Sequence, residues 1–121
     1  MNPAPTSPPV DPAKLAELQE LFCDDGELAE LFQEFWEELP DRLEGIRNGI
    51  QGKALEQIHQ AAHALKGSSA NLGAEGVRSA AAHLEDQARA GTLEDAPGLL
   101  ERLEGELGRL EAWLRQEGLL A

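Results

Sequence analysis

Cysteine and aromatic residues are rare in this sequence of 121 residues. It contains one cysteine, Cys23, together with three Phe, two Trp and no Tyr. A single cysteine cannot form a disulfide within the chain. No apolar run approaches the ~20 residues that span a bilayer, and the N-terminus lacks the basic and apolar parts of a signal peptide. These absences predict a soluble cytoplasmic protein.

Positively charged residues are also few. The chain has 10 Lys and Arg against 23 Asp and Glu, which gives a formal net charge of −13. A charge of this sign and size repels phosphate backbones and anionic lipid surfaces. Nucleic acids and membranes are therefore poor candidate partners, and most of the acidic residues are expected to form a solvated helix surface.

The apolar residues that are present are mainly Leu and Ala, and they recur at helical spacing. Because strands favour β-branched and aromatic residues, this composition predicts an all-α protein. Residues 1–10 contain four prolines and are expected to form a disordered tail. Residues 11–118 are expected to form a single domain, the usual outcome for a chain of this length.

Five helices are predicted from the apolar spacing and from the glycines and prolines that interrupt it. A short helix begins at Pro12 and ends near Cys23. A long second helix is kinked at Pro40, with a break there as the alternative. The other expected features are a turn bracketed by Gly49 and Gly52, a third helix over residues 55–72 that stops at Gly73, a fourth from near Ala74 to Gly91, and a fifth that begins between Leu93 and Pro97. Short connections make sequential helices antiparallel, which predicts an antiparallel four-helix bundle with the short first helix covering one end.

The third helix carries an unusual group of residues in the stretch HQAAHALKGSSANLGA, residues 59–74. A helical wheel places His59, His63, Lys66, Gly67 and Ala70 on an arc of roughly 100° that faces away from the apolar stripe. A neutral imidazole offers a nucleophilic nitrogen, and the nearby ammonium could neutralise an incoming phosphoryl group. Glycine inside a helix costs ~1 kcal/mol relative to alanine, so Gly67 suggests the close approach of another molecule or of a group on His63.

The segment AHALKGSSANLGA, residues 62–74, resembles the signature of histidine phosphotransfer (HPt) domains, the helical bundles of multistep two-component phosphorelays. That signature is a phosphorylatable His, any residue, Leu, Lys, Gly and small residues, with a further Gly a few positions later. It matches His63, Leu65, Lys66, Gly67 and Gly73 without departure. A looser similarity covers residues 24–115, including Pro40 within a Phe-rich helix and Leu84-Glu85 after the motif; these last two residues are expected to be structural.

The resemblance implies roles for individual residues. His63 would be the phosphorylated nucleophile through Nε2, and Lys66 would stabilise the phosphoryl charge. The docking surface would comprise the small or polar residues around that histidine, namely His59, Ala61, Ala64, Gly67 and Ala70. Residues with a structural part near the site would be Ser68, Ser69 and Gly73. Partners would be receiver domains of a hybrid sensor kinase and of a response regulator, with Mg²⁺ held by the receiver, no cofactor on this chain, and a monomeric carrier that is no autonomous kinase.

Two other readings of the same residues stay open. A helical adaptor bundle would leave His63 inert. A metal site is the less favoured alternative, because His59 and His63 have the i, i+4 spacing with which two imidazoles bind one Zn²⁺, and His83 or Glu85 could add a ligand.

Overall fold

The computed structural model describes residues 8–22 and 24–120, and within these ranges the chain forms five α-helices and no strand. The helices are α1 (Pro12–Leu21), α2 (Asp25–Gly52), α3 (Leu55–Leu72), α4 (Glu75–Ala90) and α5 (Ala96–Gln116). The predicted end of the first helix near Cys23 falls at Leu21, and Cys23 itself lies outside the described residues.

Four of these helices pack around one core. Each of α2, α3 and α4 packs against the next helix in the chain, and α5 returns to contact α2. The short α1 lies against α2 and α3. The buried side chains are mainly Leu and Ala, with Phe32 and Ile46 among the largest that are fully enclosed. The prediction of an all-α four-helix bundle with an additional N-terminal helix is therefore confirmed.

The second helix runs continuously through Pro40, as predicted. The predicted turn at Gly49 and Gly52 is wrong, because α2 continues to Gly52 and the chain turns at Lys53, which has φ +56°. Gly49 is buried, and a Cβ atom there would lie 2.6 Å from Cγ1 of Ile58. Its glycine therefore permits the close packing of α2 on α3 and does not form a turn.

The N-terminal boundary of the fold also differs from the prediction. Val10, which its proline-rich surroundings assign to the tail, is 1% exposed and belongs to the core. The backbone N–H of Asp11 donates a 2.8 Å hydrogen bond to the carbonyl of Gly73, so the entry to α1 is fastened to the end of α3. Residues 1–7 of the predicted tail lie outside the described residues.

The end of α3 is fixed by the predicted stop at Gly73, which has φ +74°. The N–H groups of Gly73 and Ala74 donate to the carbonyls of Ala70 and Ser69, the pattern of a Schellman cap. A left-handed conformation favours glycine because a side chain would be strained there. The cap turns the chain within two residues, so that α4 packs along α3 and faces its polar residues.

Candidate functional site

His63 projects from the middle of α3 into solvent. Its side chain is 65% exposed, and Gly67 and Ala70 on the following turns are exposed as well. On the opposite side of the helix, Ala62 and Leu65 are buried in the core. The structure thus confirms the outward direction that the helical wheel predicts for His63.

Glu85 on α4 lies directly behind this histidine. Its carboxylate is almost fully buried, at 1% exposure, and Oε2 lies 2.6 Å from Nδ1 of His63. The expectation that Glu85 is merely structural is wrong in this respect, because it contacts the candidate nucleophile. A signal was present in the sequence: Glu85 falls one turn after Ala81 and three residues before Ala88, on the face of α4 that is otherwise buried and apolar.

The hydrogen bond between Glu85 and His63 selects one form of the imidazole. Burial raises the pKa of the Glu85 carboxyl, but the Lys66 ammonium and His63 lower it by more, so the net pKa lies below its ordinary value. An ionised carboxylate can only accept hydrogen bonds, so Nδ1 must be the donor. In the neutral imidazole, Nε2 then carries the free lone pair.

Lys66 is held by the same carboxylate. Its Nζ lies 2.5 Å from Oε1 of Glu85, and about a third of its side chain is exposed. The sequence predicts that this ammonium lies beside His63. The structure brings the two residues together through Glu85, with the ammonium on one carboxylate oxygen and the imidazole on the other.

Two further cationic or ionisable side chains approach Oε2 of Glu85 at longer distances. Nε2 of His59 lies 3.5 Å away, and its ring stacks on that of His63 with centroids 6.0 Å apart. A guanidinium nitrogen of Arg89, on the last turn of α4, lies 3.6 Å away. Arg89 is missing from the sequence prediction, because its distance of 26 residues along the chain from His63 carries no periodic signal.

Gly67 lies in open space. A Cβ atom at this position would have no neighbour within 4 Å, so packing within the chain does not require glycine here. This observation removes the main structural explanation for Gly67 and supports the prediction that something outside the chain needs the room.

The two serines after Gly67 bond to their own helix, as expected. The hydroxyl of Ser68 donates to the carbonyl of Ala64, and that of Ser69 donates to the carbonyl of Leu65 at 2.6 Å. Ser69 is fully buried, so this bond satisfies its hydroxyl inside the core.

The small residues around His63 divide between two surfaces. Ala70 is exposed and Ala64 is half-buried, so both border the solvent face of α3. Ala61 instead faces α2, where its Cβ would lie 3.2 Å from a Cβ added at Gly45. Its predicted place on the docking surface is wrong, because it serves the packing of α2 on α3.

The alternative metal site gains no support from this geometry. In the described ranges there is no group of three or more His, Cys, Asp and Glu side chains placed to hold a metal ion. Nδ1 of His83 lies 2.8 Å from a guanidinium nitrogen of Arg102 on α5, so this histidine has a partner of its own. No helix in the described part of the chain is long and apolar enough to cross a membrane.

Comparison with known proteins agrees with this fold and site. The Hpt domain family model matches residues 30–113, which include His63, Lys66 and Glu85. Among solved structures, the chain is similar to the crystal structure of histidine-containing phosphotransfer protein B (HptB) from Pseudomonas aeruginosa PAO1. The TM-score is 0.84 at 31% sequence identity, over 93% of this chain and 96% of that chain. No match is found among curated proteins. The chain belongs to the Hpt domain family, the carriers of phosphoryl groups in phosphorelays.

Proposed function

We propose that His63 accepts a phosphoryl group from the phosphoaspartate of one receiver domain and passes it to the aspartate of another. The observation that carries this proposal is the 2.6 Å contact between Nδ1 of His63 and the buried carboxylate of Glu85. This contact places the lone pair on Nε2, at the solvent side of a side chain that is 65% exposed.

The proposed step forms one bond and breaks one bond. The Nε2 lone pair attacks phosphorus, and the bond from phosphorus to the aspartyl oxygen breaks, so that its electron pair leaves with the receiver carboxylate. The ring gains positive charge, which the Glu85 carboxylate stabilises through the proton on Nδ1. In the onward transfer an aspartate oxygen attacks the same phosphorus, and Nε2 recovers its electron pair.

Lys66 and Gly67 have supporting parts in this proposal. The Lys66 ammonium fixes the Glu85 carboxylate and adds positive charge next to the incoming phosphoryl group. Gly67 keeps the adjacent turn free of a side chain. We expect the receiver to bring Mg²⁺ for the equatorial phosphoryl oxygens, and this chain to act as a carrier and not as an autonomous kinase.

The docking surface proposed for the receivers is the solvent face of α3 that is centred on His63. The exposed Gly67 and Ala70 would let another backbone approach, while the half-buried His59 and Ala64 would form its rim. Contacts between signalling proteins of this kind are typically modest in area and transient. We further propose that the carrier works as a cytoplasmic monomer, because the four-helix core is closed within one chain.

Transfer of label from a phosphorylated receiver tests the proposal. Radiolabel should move from the receiver to the wild-type chain and be absent from the His63→Gln variant. His83→Gln is the matched control, since its histidine is bonded to Arg102 on α5 and should leave labelling unchanged. Equal labelling of the wild type and His63→Gln would refute the proposal and favour the adaptor function. Profiling against all receivers of the source organism would then identify the partners.

A further inference from the structure

Arg89 and Lys66 hold the same carboxylate with very different firmness. The Lys66 ammonium lies 2.5 Å from Glu85 and is about two-thirds buried. The Arg89 guanidinium is 63% exposed, and its contacts with Glu85 and Asp86 are 3.6 Å and 3.8 Å long. Ion pairs of that length and exposure contribute little to stability, so the guanidinium can leave them at small cost.

Arg89 also borders the side of the histidine pair that is not packed. An open cleft of about 260 Å³ separates the beginning of α3 from the end of α4, and His59, Ala88 and Arg89 are among its lining residues. The His59 ring at this cleft stacks on His63, with an interplanar angle of 9°. A flexible guanidinium at this position has room to move along the ring pair toward the outer nitrogen of His63.

We infer that Arg89 is the residue of this chain that contacts the phosphoryl oxygens on Nε2 of His63, and that Lys66 acts as a positioning residue that holds Glu85. This inference rests on the proposed function. A phosphoryl group brings up to two negative charges into a cluster where one carboxylate is shared by several cations. The cation that is held least firmly responds first, and a guanidinium can bind two phosphoryl oxygens at once.

An explanation without function also exists for Arg89. It occupies the last turn of α4, where a positive charge interacts favourably with the helix dipole. That explanation predicts an effect on stability alone. Arg78 provides a matched control on the same helix, because it pairs with Glu75 at 2.7 Å and lies roughly 16 Å from Arg89 along the helix axis.

The first experiment needs no receiver in the sample. The Nε–Hε resonances of the arginines are recorded by ¹⁵N NMR on the isolated chain before and after phosphorylation of His63. The inference predicts that the Arg89 resonance shifts downfield and gains protection from exchange with water, whereas that of Arg78 stays unchanged. An Arg89 resonance that is indifferent to phosphorylation would overturn the inference, although His63 had been labelled and the proposed function had therefore survived.

Single-turnover transfer provides the kinetic test. Arg89→Ala should lower the maximal rate about tenfold, the scale of one charge-assisted hydrogen bond, while the receiver concentration at half-saturation stays the same. Arg89→Lys should recover part of the rate, and Arg78→Ala should match the wild type. A change confined to the half-saturating concentration would assign Arg89 to docking, and an unchanged maximal rate with altered thermal stability would assign it to the helix end. Either result would refute the inference.

Discussion

Replacing Glu85 by glutamine tests how far one buried carboxylate supports both the fold and the reactive histidine. The variant keeps the size of the side chain and an oxygen that can accept the Nδ1 proton of His63, but it removes the charge that faces Lys66. Burial by itself disfavours that charge, and the paired cations favour it. Because the pKa of Glu85 is lowered in the folded protein, pairing outweighs burial, so removing the charge should destabilise the fold.

The expected size of the loss follows from the exposure of the partners. Removing one member of a fully buried ion pair costs ~3–5 kcal/mol, and an exposed pair contributes ~0–1 kcal/mol. Glu85 is buried, but Lys66 is about one-third exposed and His63 about two-thirds exposed, so water can rehydrate both after the substitution. An intermediate loss of ~1–2 kcal/mol in the free energy of unfolding is therefore expected near pH 7.

Urea denaturation of the wild type and Glu85→Gln over a range of pH provides the measurement. A carboxyl whose pKa is depressed by folding stabilises the protein above its unfolded pKa, and this contribution is lost as the pH falls through the folded value. The difference between the two proteins should therefore be full at neutral pH and shrink below about pH 4. Glu111→Gln is the control, since it breaks an i, i+4 pair with Arg115 on the surface of α5 and should cost less than ~0.5 kcal/mol. A difference that does not depend on pH, or a more stable Glu85→Gln, would refute the reasoning.

Two glycines on neighbouring helices should respond in opposite ways to alanine. Gly67→Ala places its methyl group in open space, so the free energy of unfolding should rise by up to ~1 kcal/mol while phosphotransfer slows; unchanged transfer would show that no partner or phosphoryl group uses this space. Gly49→Ala places its methyl group against the backbone and side chain of Ile58, so it should cost ~1–3 kcal/mol in urea denaturation. Equal stability of Gly49→Ala and the wild type would contradict the close contact of α2 with α3.

The helices were predictable because each of them states its own period and its own ends. The apolar stripe of α3 and the left-handed stop at Gly73 are both local signals, and the structure contains both. The turn assigned to Gly49 failed for the same local reason. A glycine that breaks a helix and one that lets two helices touch look alike in the sequence, and the position of Ile58 on the neighbouring helix decides between them. Val10 is similar, because its burial depends on where α1 lies and not on its proline neighbours.

The site was predictable on α3 and only partly on α4. His63, Lys66 and Gly67 fall within five residues of one another, so helical spacing alone places them on one face. Glu85 and Arg89 reach the same face only because α4 packs against α3, and the register of two helices is a tertiary property. A charged residue on an apolar stripe pointed to Glu85, but nothing in the sequence identified its partners.

The chemistry of His63 therefore depends on the packing of two helices and not on α3 alone. In an isolated α3, nothing would hold the proton on Nδ1, since the residues on the solvent face around His63 offer no carboxylate in that position. The buried Glu85 supplies it, and Lys66 keeps that carboxylate ionised and in place. A substitution in the core that shifts α4 relative to α3 should for this reason impair His63 without touching it. Stability and reactivity meet in one carboxylate, whose charge is maintained by the same residues that the phosphoryl group will approach.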